Sequence, residues 1–438
     1  MKQAKIIVLD DDPTGSQTVH SCLLLTRWDE WSLRAGLSDD APLFFVLTNT
    51  RSMGRDEAAE VTREVCRNLR VPLDEFDRPW LVVSRSDSTL RGHYPVETDV
   101  IAEELGPFDA HFITPEFFEG GRITRDAVHY VVRDGTETPA HETEFARDSV
   151  FGYSTSFLPD YVEEKTSGRI RASAVLRFDP EEPDEDVLAR LRGLSGNACC
   201  VVSAVTQEQL DRFASLMLRV SSEGKRFLFR SVASLLTSLA RLPDQPVPAE
   251  QMAGYVPDDR PGLILVGSHV PMSTRQLARL LADRGGDRER LVHIELEVSA
   301  LPDRDGSILR SLEEELASAH AEGRDVVLST SRTEREFASA EERLAFGLEI
   351  SRILMTVVRE APPTLGFILS KGGITSNDVL STGLALSSAR VVGQIHPGCS
   401  VVLTPADHRL GSIPVVIFPG NVGDEESLRL VYDRLIGS

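Results

Sequence analysis

Short apolar runs that stop abruptly in polar clusters recur along the whole chain, and this punctuation limits the fold more than any other feature. In the first half, runs at 6–9, 43–47, 81–83 and 112–113 end in DDDPTG, TNTRS, SRSDSTLRG and TPEFFEGGR. Stretches with helical spacing, such as 55–69 and 95–105, lie between them. Strand–helix alternation of this kind predicts a mostly parallel α/β sheet. Ligands of such sheets bind outside the carboxyl ends of the strands. The four clusters are therefore expected to converge on one crevice.

The rhythm weakens over 137–166, which reads as an excursion over the surface, and resumes with strands at 198–205 and 227–229 around a helix at 206–221. A Pro-rich polar stretch follows. The expected organisation is an N-terminal α/β domain over 1–242, a linker over 243–261 and a C-terminal α/β domain over 262–438. In the last, strands are predicted at 263–266, 292–296, 326–329, 366–369, 401–403 and 415–418. Helices are predicted at 273–282, 307–322, 341–359, 375–384 and 425–435. The special strand ends are GSH, STSRT, SKGGITSND and FPGNVGD.

Charge narrows the partners. With 68 acidic against 47 basic residues the formal charge is −21, which repels nucleic acid and anionic membrane. An anionic substrate would need deliberately placed Arg, Lys or backbone amides. The N-terminus meets carboxylates after four apolar residues, too few for a signal peptide, and no apolar run reaches membrane-spanning length. The five cysteines show no CxxC spacing, as expected of thiols in a reducing compartment. A cytoplasmic location is expected. Only five lysines occur, so Lys371, inside a Gly-rich motif, draws notice.

In SKGGITSND, Gly372 and Gly373 are expected to form a turn and Ile374 to begin a helix, with Thr375 adding a hydroxyl. Glycines permit close backbone approach, and a helix start offers free N–H groups to phosphate. Lys371 would bring a point charge. Ordinary helix capping explains the same residues. GSH and GNVGD repeat the pattern, whereas neither GxxxxGK[ST] nor GxGxxG after a strand occurs. In the first half, Asp10, Asp11 and Asp12 crowd one strand end, and Arg51, Arg85 and Arg91 arrive from neighbouring ends. Arg forks suit a carboxylate and Asp suits hydroxyl protons, a set that matches an acidic sugar. Asp87 alternatively neutralises Arg85 or Arg91. The histidines are scattered singly without zinc spacing, GxSxG is absent, and the metal ligands are unknown.

As a set these motifs resemble a known family. DDPTG, NTRS, RSDSTLRG, GGRITRDAVHY and TEFARD, then GSHVPMSTRQ, KGGITSNDV, GQIHPGCSVV and PGNVGDEESL, are similar in order to the four-carbon acid sugar kinases. The resemblance implies two three-layer α/β domains with mostly parallel sheets and the active site in the interdomain cleft. It implies ATP-dependent phosphorylation of a terminal hydroxyl on a tetronate or 3-oxo-tetronate, with Mg2+ bridging the phosphates. The nucleotide contacts implied are Ser268, Gly372, Gly373, Ile374, Thr375, Gly398 and Gly420. The substrate face implied is Asp11, Asp12, Thr14, Gly15, Arg51, Ser52, Arg85, Asp87, Ser88, Arg91 and Gly92. Asp12 is the expected general base, with Asp11 second, and Arg51, Arg85 and Arg91 are expected to hold the substrate carboxylate. Phe418–Pro419 stands where a Lys–Ser pair is frequent, so Lys371 is expected to supply the missing phosphate-side charge. The expected partners are the small acid and a second copy of the chain. The rival readings are a non-catalytic sugar-acid sensor and a nucleotide-independent, metal-dependent hydrolase or aldolase.

Overall fold

A computed structural model describes residues 4–282, 290–303, 306–332, 340–420 and 422–437. The chain divides into two compact units, Met1–Asp244 and Gln245–Ser438. Thr333 of STSRT and Asn421 of FPGNVGD lie outside the described residues.

The first unit carries strands β1 (Lys5–Asp10), β2 (Cys22–Leu25), β3 (Leu43–Leu47), β4 (Trp80–Arg85), β5 (Ala110–Thr114), β6 (Arg122–Arg125), β7 (Val128–Arg133), β8 (Thr136–Pro139), β9 (Leu176–Phe178), β10 (Ala198–Val202) and β11 (Phe227–Ser231). Its helices are α1 (Glu30–Ser38), α2 (Arg55–Asp74), α3 (Val96–Leu105), α4 (Leu158–Lys165), α5 (Asp184–Gly193), α6 (Gln207–Ser222) and α7 (Ala233–Ala240). The main sheet runs β2-β3-β1-β4-β11-β5-β10-β9, with every pair parallel. Strands β1 and β3 are buried at every position, because a parallel sheet is covered on both faces. That is why they read as unbroken apolar runs. On α2, Ala58, Thr62, Val65, Cys66, Leu69 and Leu73 recur three or four residues apart. From this stripe, Val65, Cys66, Leu69 and Leu73 pack on Ile7, Phe44, Val46 and Val82, and each large side chain so buried contributes about 1.5–3 kcal/mol. The expected surface excursion over 137–166 instead contains β8 and α4. Strand β8 completes a small antiparallel sheet β6-β7-β8, whose alternating, half-exposed strands leave no apolar run to read.

The second unit comprises β12 (Leu263–Val266), β13 (Leu291–Leu296), β14 (Asp325–Thr330), β15 (Ile368–Lys371), β16 (Ser388–His396), β17 (Cys399–Leu403) and β18 (Pro414–Phe418). Its helices are α8 (Pro271–Ala282), α9 (Ser307–Ala321), α10 (Ala340–Glu360), α11 (Gly373–Asp378) and α12 (Ser427–Ile436). The strands run β13-β14-β12-β15-β18-β17-β16, parallel except that β17 is antiparallel to both β16 and β18. The helix expected at 375–384 is short: α11 passes into a π-helical turn at Val379–Gly383. The Pro-rich stretch packs onto this unit, with Met252 buried in its core. Gln245 Oε1 accepts from Gln394 N at 2.9 Å, and its Nε2 donates to Gln394 O at 3.1 Å.

Strand order reverses between β1 and β4 in the first unit and between β12 and β15 in the second. Such switch points open a crevice at the carboxyl ends of the two strands. Asp11–Asp12 and Ser86–Gly92 follow β1 and β4. Ser268 and Gly372–Thr375 follow β12 and β15.

Candidate active site

In the first unit the carboxylates and guanidiniums are interlocked. Asp12 caps the 3-10 turn Pro13–Ser16: its Oδ1 accepts from Thr14 N at 2.8 Å and Thr14 Oγ1 at 2.5 Å. Its Oδ2 meets Arg51 Nη1 only at 3.4 Å, and the side chain is 20% exposed. Burial pushes the Asp12 carboxyl up, but Arg51 and Thr14 outweigh it and hold it below the usual carboxylate range. Asp11 differs. Its Oδ1 accepts from Arg51 Nη2 at 2.5 Å, and its Oδ2 accepts from Arg51 Nε at 3.2 Å and Ser86 Oγ at 2.6 Å. With both oxygens engaged and 1% exposure, Asp11 anchors Arg51. Asp87 accepts from Thr89 N and Arg91 Nε, both at 3.0 Å. Burial raises it, and Arg51 and Arg91 overcome that to hold it well below the ordinary value.

The remaining predicted residues hold different places. Arg85 is buried, with Nη1 3.6 Å from Asp10 Oδ1. Gly15 lies so close to the Asp10 carboxyl that any side chain there would overlap it. Gly92 has φ +124, and a methyl group on it would fall 2.6 Å from Arg230 Nη2. Ser52 is exposed, and its hydroxyl donates to Asn49 O within its own turn at 2.9 Å. Ser88 contributes its carbonyl, which lies 2.8 Å from His129 Nε2.

Arg230, Glu97 and Glu116 escaped the sequence reading. Arg230 donates to Ser84 Oγ at 2.7 Å, Glu97 Oε2 at 2.6 Å and Ser86 Oγ at 2.7 Å, so a buried ion pair supports the hydroxyl that holds Asp11. The signal was an Arg set in the apolar run FLFRS. Glu116, just beyond β5, is fully buried and neither carboxyl oxygen has a hydrogen-bond partner. Burial pushes it up to about 8. Burial raises Asp10 to about 8 as well, against the pull of Arg85. Unfolded, Glu116 ionises near 4.5, so the folded state holds its proton where the unfolded state has lost it. The contribution of Glu116 to stability should therefore fall as pH rises from about 4.5 to 8. Glu116→Gln should flatten that fall and make the variant the more stable protein at pH 8, read by urea unfolding at a series of pH values. Identical slopes would remove Glu116 from the account.

In the second unit the predicted nucleotide residues form a cradle. A methyl group on Gly267 would lie 2.5 Å from Thr375 Oγ1. On Gly420 it would lie 2.8 Å from Ser268 Oγ, and on Gly372, at φ +121, 3.1 Å from Ser268 Cβ. Gly373 begins α11, and Ile374 is 67% exposed. Gly398 sits against Val422. Lys371 does not stand free beside this cradle as its sequence position suggested. It ends β15 fully buried, with Nζ donating to Pro419 O at 2.5 Å and Gly420 O at 3.3 Å, and 3.8 Å from the Phe418 ring centroid. Burial brings it down to about 7. Arg332 was not singled out from the sequence. It donates to Ser268 O and, at 2.8 Å, to Val266 O, and no carboxylate lies within ion-pair distance of it among the described residues.

Residues 6–239 match the model of a sugar-binding N-terminal domain, and residues 263–428 that of a nucleotide-binding C-terminal domain. A D-erythronate kinase of Heliobacterium modesticaldum is 24% identical, over 99% of this chain and 97% of its own. Among solved structures, a Salmonella typhimurium LT2 protein described as a tRNA synthase has a TM-score of 0.70 at 18% identity, covering 98% of both chains. Protein HI1011 of Haemophilus influenzae has a TM-score of 0.65 at 17% identity, covering 98% of this chain and 100% of its own. At such identities the solved structures speak for the fold alone. The two matched domains span most of the sequence, and the chain belongs to the four-carbon acid sugar kinase family.

Proposed function

We propose that the chain transfers the γ-phosphoryl group of ATP to a terminal hydroxyl of a four-carbon sugar acid. The observation that carries this reading is Asp12: an ionised, partly exposed carboxylate at a strand switch point, fixed by Thr14 and Arg51. It is able to orient the hydroxyl and take its proton as the oxygen bonds to phosphorus and ADP departs. Phosphoryl transfer asks mainly for such positioning and for charge stabilisation. The nucleotide side fits as well. Ser268, Gly372, Thr375 and Gly420 leave a backbone-lined cradle that a Cβ would fill. Arg332 and Lys371 brace it from carbonyls on both sides. Lys371 then acts through the Pro419–Gly420 loop it holds. Among the described residues no three His, Cys, Asp or Glu side chains form a metal cage; Mg2+ would enter with the nucleotide and supply charge neutralisation at its phosphates. The D-erythronate kinase relative supports a tetronate acceptor.

The test is ADP release by purified protein with Mg2+-ATP and a panel of D-erythronate, threonates and 3-oxo-tetronates. Acid-dependent ADP formation is expected, and acid binding without ADP would replace the kinase by a sensor. Gly420→Val should lower ATP affinity at least tenfold while the melting temperature stays close to wild type. Unchanged affinity in the folded variant would dissociate the cradle from ATP.

A further inference from the structure

The first unit holds a second charge cluster, around Phe145. Three guanidiniums surround this half-buried ring, with Arg91, Arg133 and Arg122 at 5.1, 5.4 and 5.8 Å from its centroid. Each cation–π contact is modestly favourable, but three like charges so close repel one another and call for counter-charge. Arg91 has Asp87 at 3.0 Å, and Arg133 has Glu144 at 2.5 Å. Arg122 has no carboxylate within ion-pair distance among the described residues. One of its terminal nitrogens donates to Gly120 O, and its buried Nε has no partner. Burial, Arg133 and Arg91 lower its pKa against the pull of Asp87, yet a guanidinium remains protonated. The backbone that carries it is also fixed. Phe117 N donates to Arg122 O at 3.0 Å and Arg122 N to Phe117 O at 2.9 Å, closing the turn at both ends.

The guanidiniums expected to fork the substrate carboxylate are occupied elsewhere. Arg51 is shared among Asp11, Asp12 and Asp87, and Arg85 faces Asp10. Asp87 links the two clusters, since it pairs with Arg91 and lies 3.8 Å from Arg51. We propose that Arg122, steadied against Phe145 beside Arg91, binds the carboxylate of the acid substrate. The ligand's identity as a sugar acid rests on the kinase reading above; the unmatched charge does not. Arg122 presents its remaining N–H groups to the carboxylate, and the opposite end of the acid is left for Asp12.

The experiment is calorimetric titration of D-erythronate, and of its neutral amide, into wild-type protein, Arg122→Gln and Arg122→Lys without nucleotide. Loss of a charge-assisted contact predicts roughly ten- to 150-fold weaker acid binding for Arg122→Gln, with a smaller loss for Arg122→Lys. Amide affinity should be equal in all three proteins. In turnover the acid KM should rise with little change in kcat or in the KM for ATP. Equal acid affinity in wild type and Arg122→Gln overturns the proposal and leaves the kinase reading standing. Parallel loss of acid and amide binding also overturns it, because Arg122 would then only brace its turn. A wild type that binds no sugar acid overturns both.

Discussion

Asp12→Asn is expected to lower turnover by about a hundredfold or more, the usual contribution of a positioned general base. The substitution keeps the shape and the cap on Thr14, because the amide oxygen still accepts from Thr14 N and Oγ1. It removes the capacity to take the hydroxyl proton. ATP affinity should remain near wild type, since the nucleotide residues belong to the other unit. Arg51 and Thr14 hold Asp12 below the usual carboxylate range, so it stays ionised at neutral pH, and the acid limb of the wild-type rate profile should begin only well into acid. Steady-state kinetics on a variant with wild-type melting behaviour decides the matter. Full turnover would sink the mechanism and leave the family assignment untouched. The same substitution at Asp11 should act differently, loosening Arg51 and with it the setting of Asp12, so that stability and rate fall together.

Arg230→Met should cost about 3–5 kcal/mol of stability, the range for removing one partner of a buried ion pair. Arg230 and Glu97 are only 9% and 6% exposed. Removing the guanidinium strands the Glu97 carboxylate in the interior and withdraws donors from Ser84 and Ser86. Adding Glu97→Gln should return part of the loss, because the stranded charge disappears. Urea unfolding of the single and double variants reads both effects. A single variant as stable as wild type would mean that the pair contributes nothing to the scaffold under Asp11.

The parts of the molecule that were legible in the sequence share one physical property. Strands β1, β3 and β12 are covered on both faces and so present unbroken apolar runs, and their polar ends mark the crevices. Asp12, Arg51, Asp87, Ser268, Gly372 and Gly420 follow such ends, and each cluster is assembled by strands that the sequence revealed. Strands β6, β7 and β8 alternate or lie half exposed, and they carried no comparable signal, although they hold Arg122 and Arg133. Pairing was also illegible. Arg51 and Arg85 looked like free forks, because which carboxylate a guanidinium meets depends on strand order, and strand order is a long-range property. Lys371 was misjudged for a related reason. Lys371 lies beside Phe418 in the β15–β18 pairing, and its side chain is buried against that ring and the Pro419 carbonyl.

The stretch that composition marks as a tether has a consequence for how the nucleotide unit can be moved between proteins. Met252 sits with Ile264, Val392, Ile395 and Tyr432 in that unit's core, and Gln245 is clasped by both backbone groups of Gln394. A fragment beginning at 262 would lose Met252 from the core, a deletion worth about 2–5 kcal/mol by analogy with Met→Ala, and would remove the Gln245 clasp from the Gln394 backbone. A fragment beginning at 245 keeps both. Any recombination that exchanges this half of the enzyme, natural or engineered, therefore has to carry residues 245–261 along as cargo.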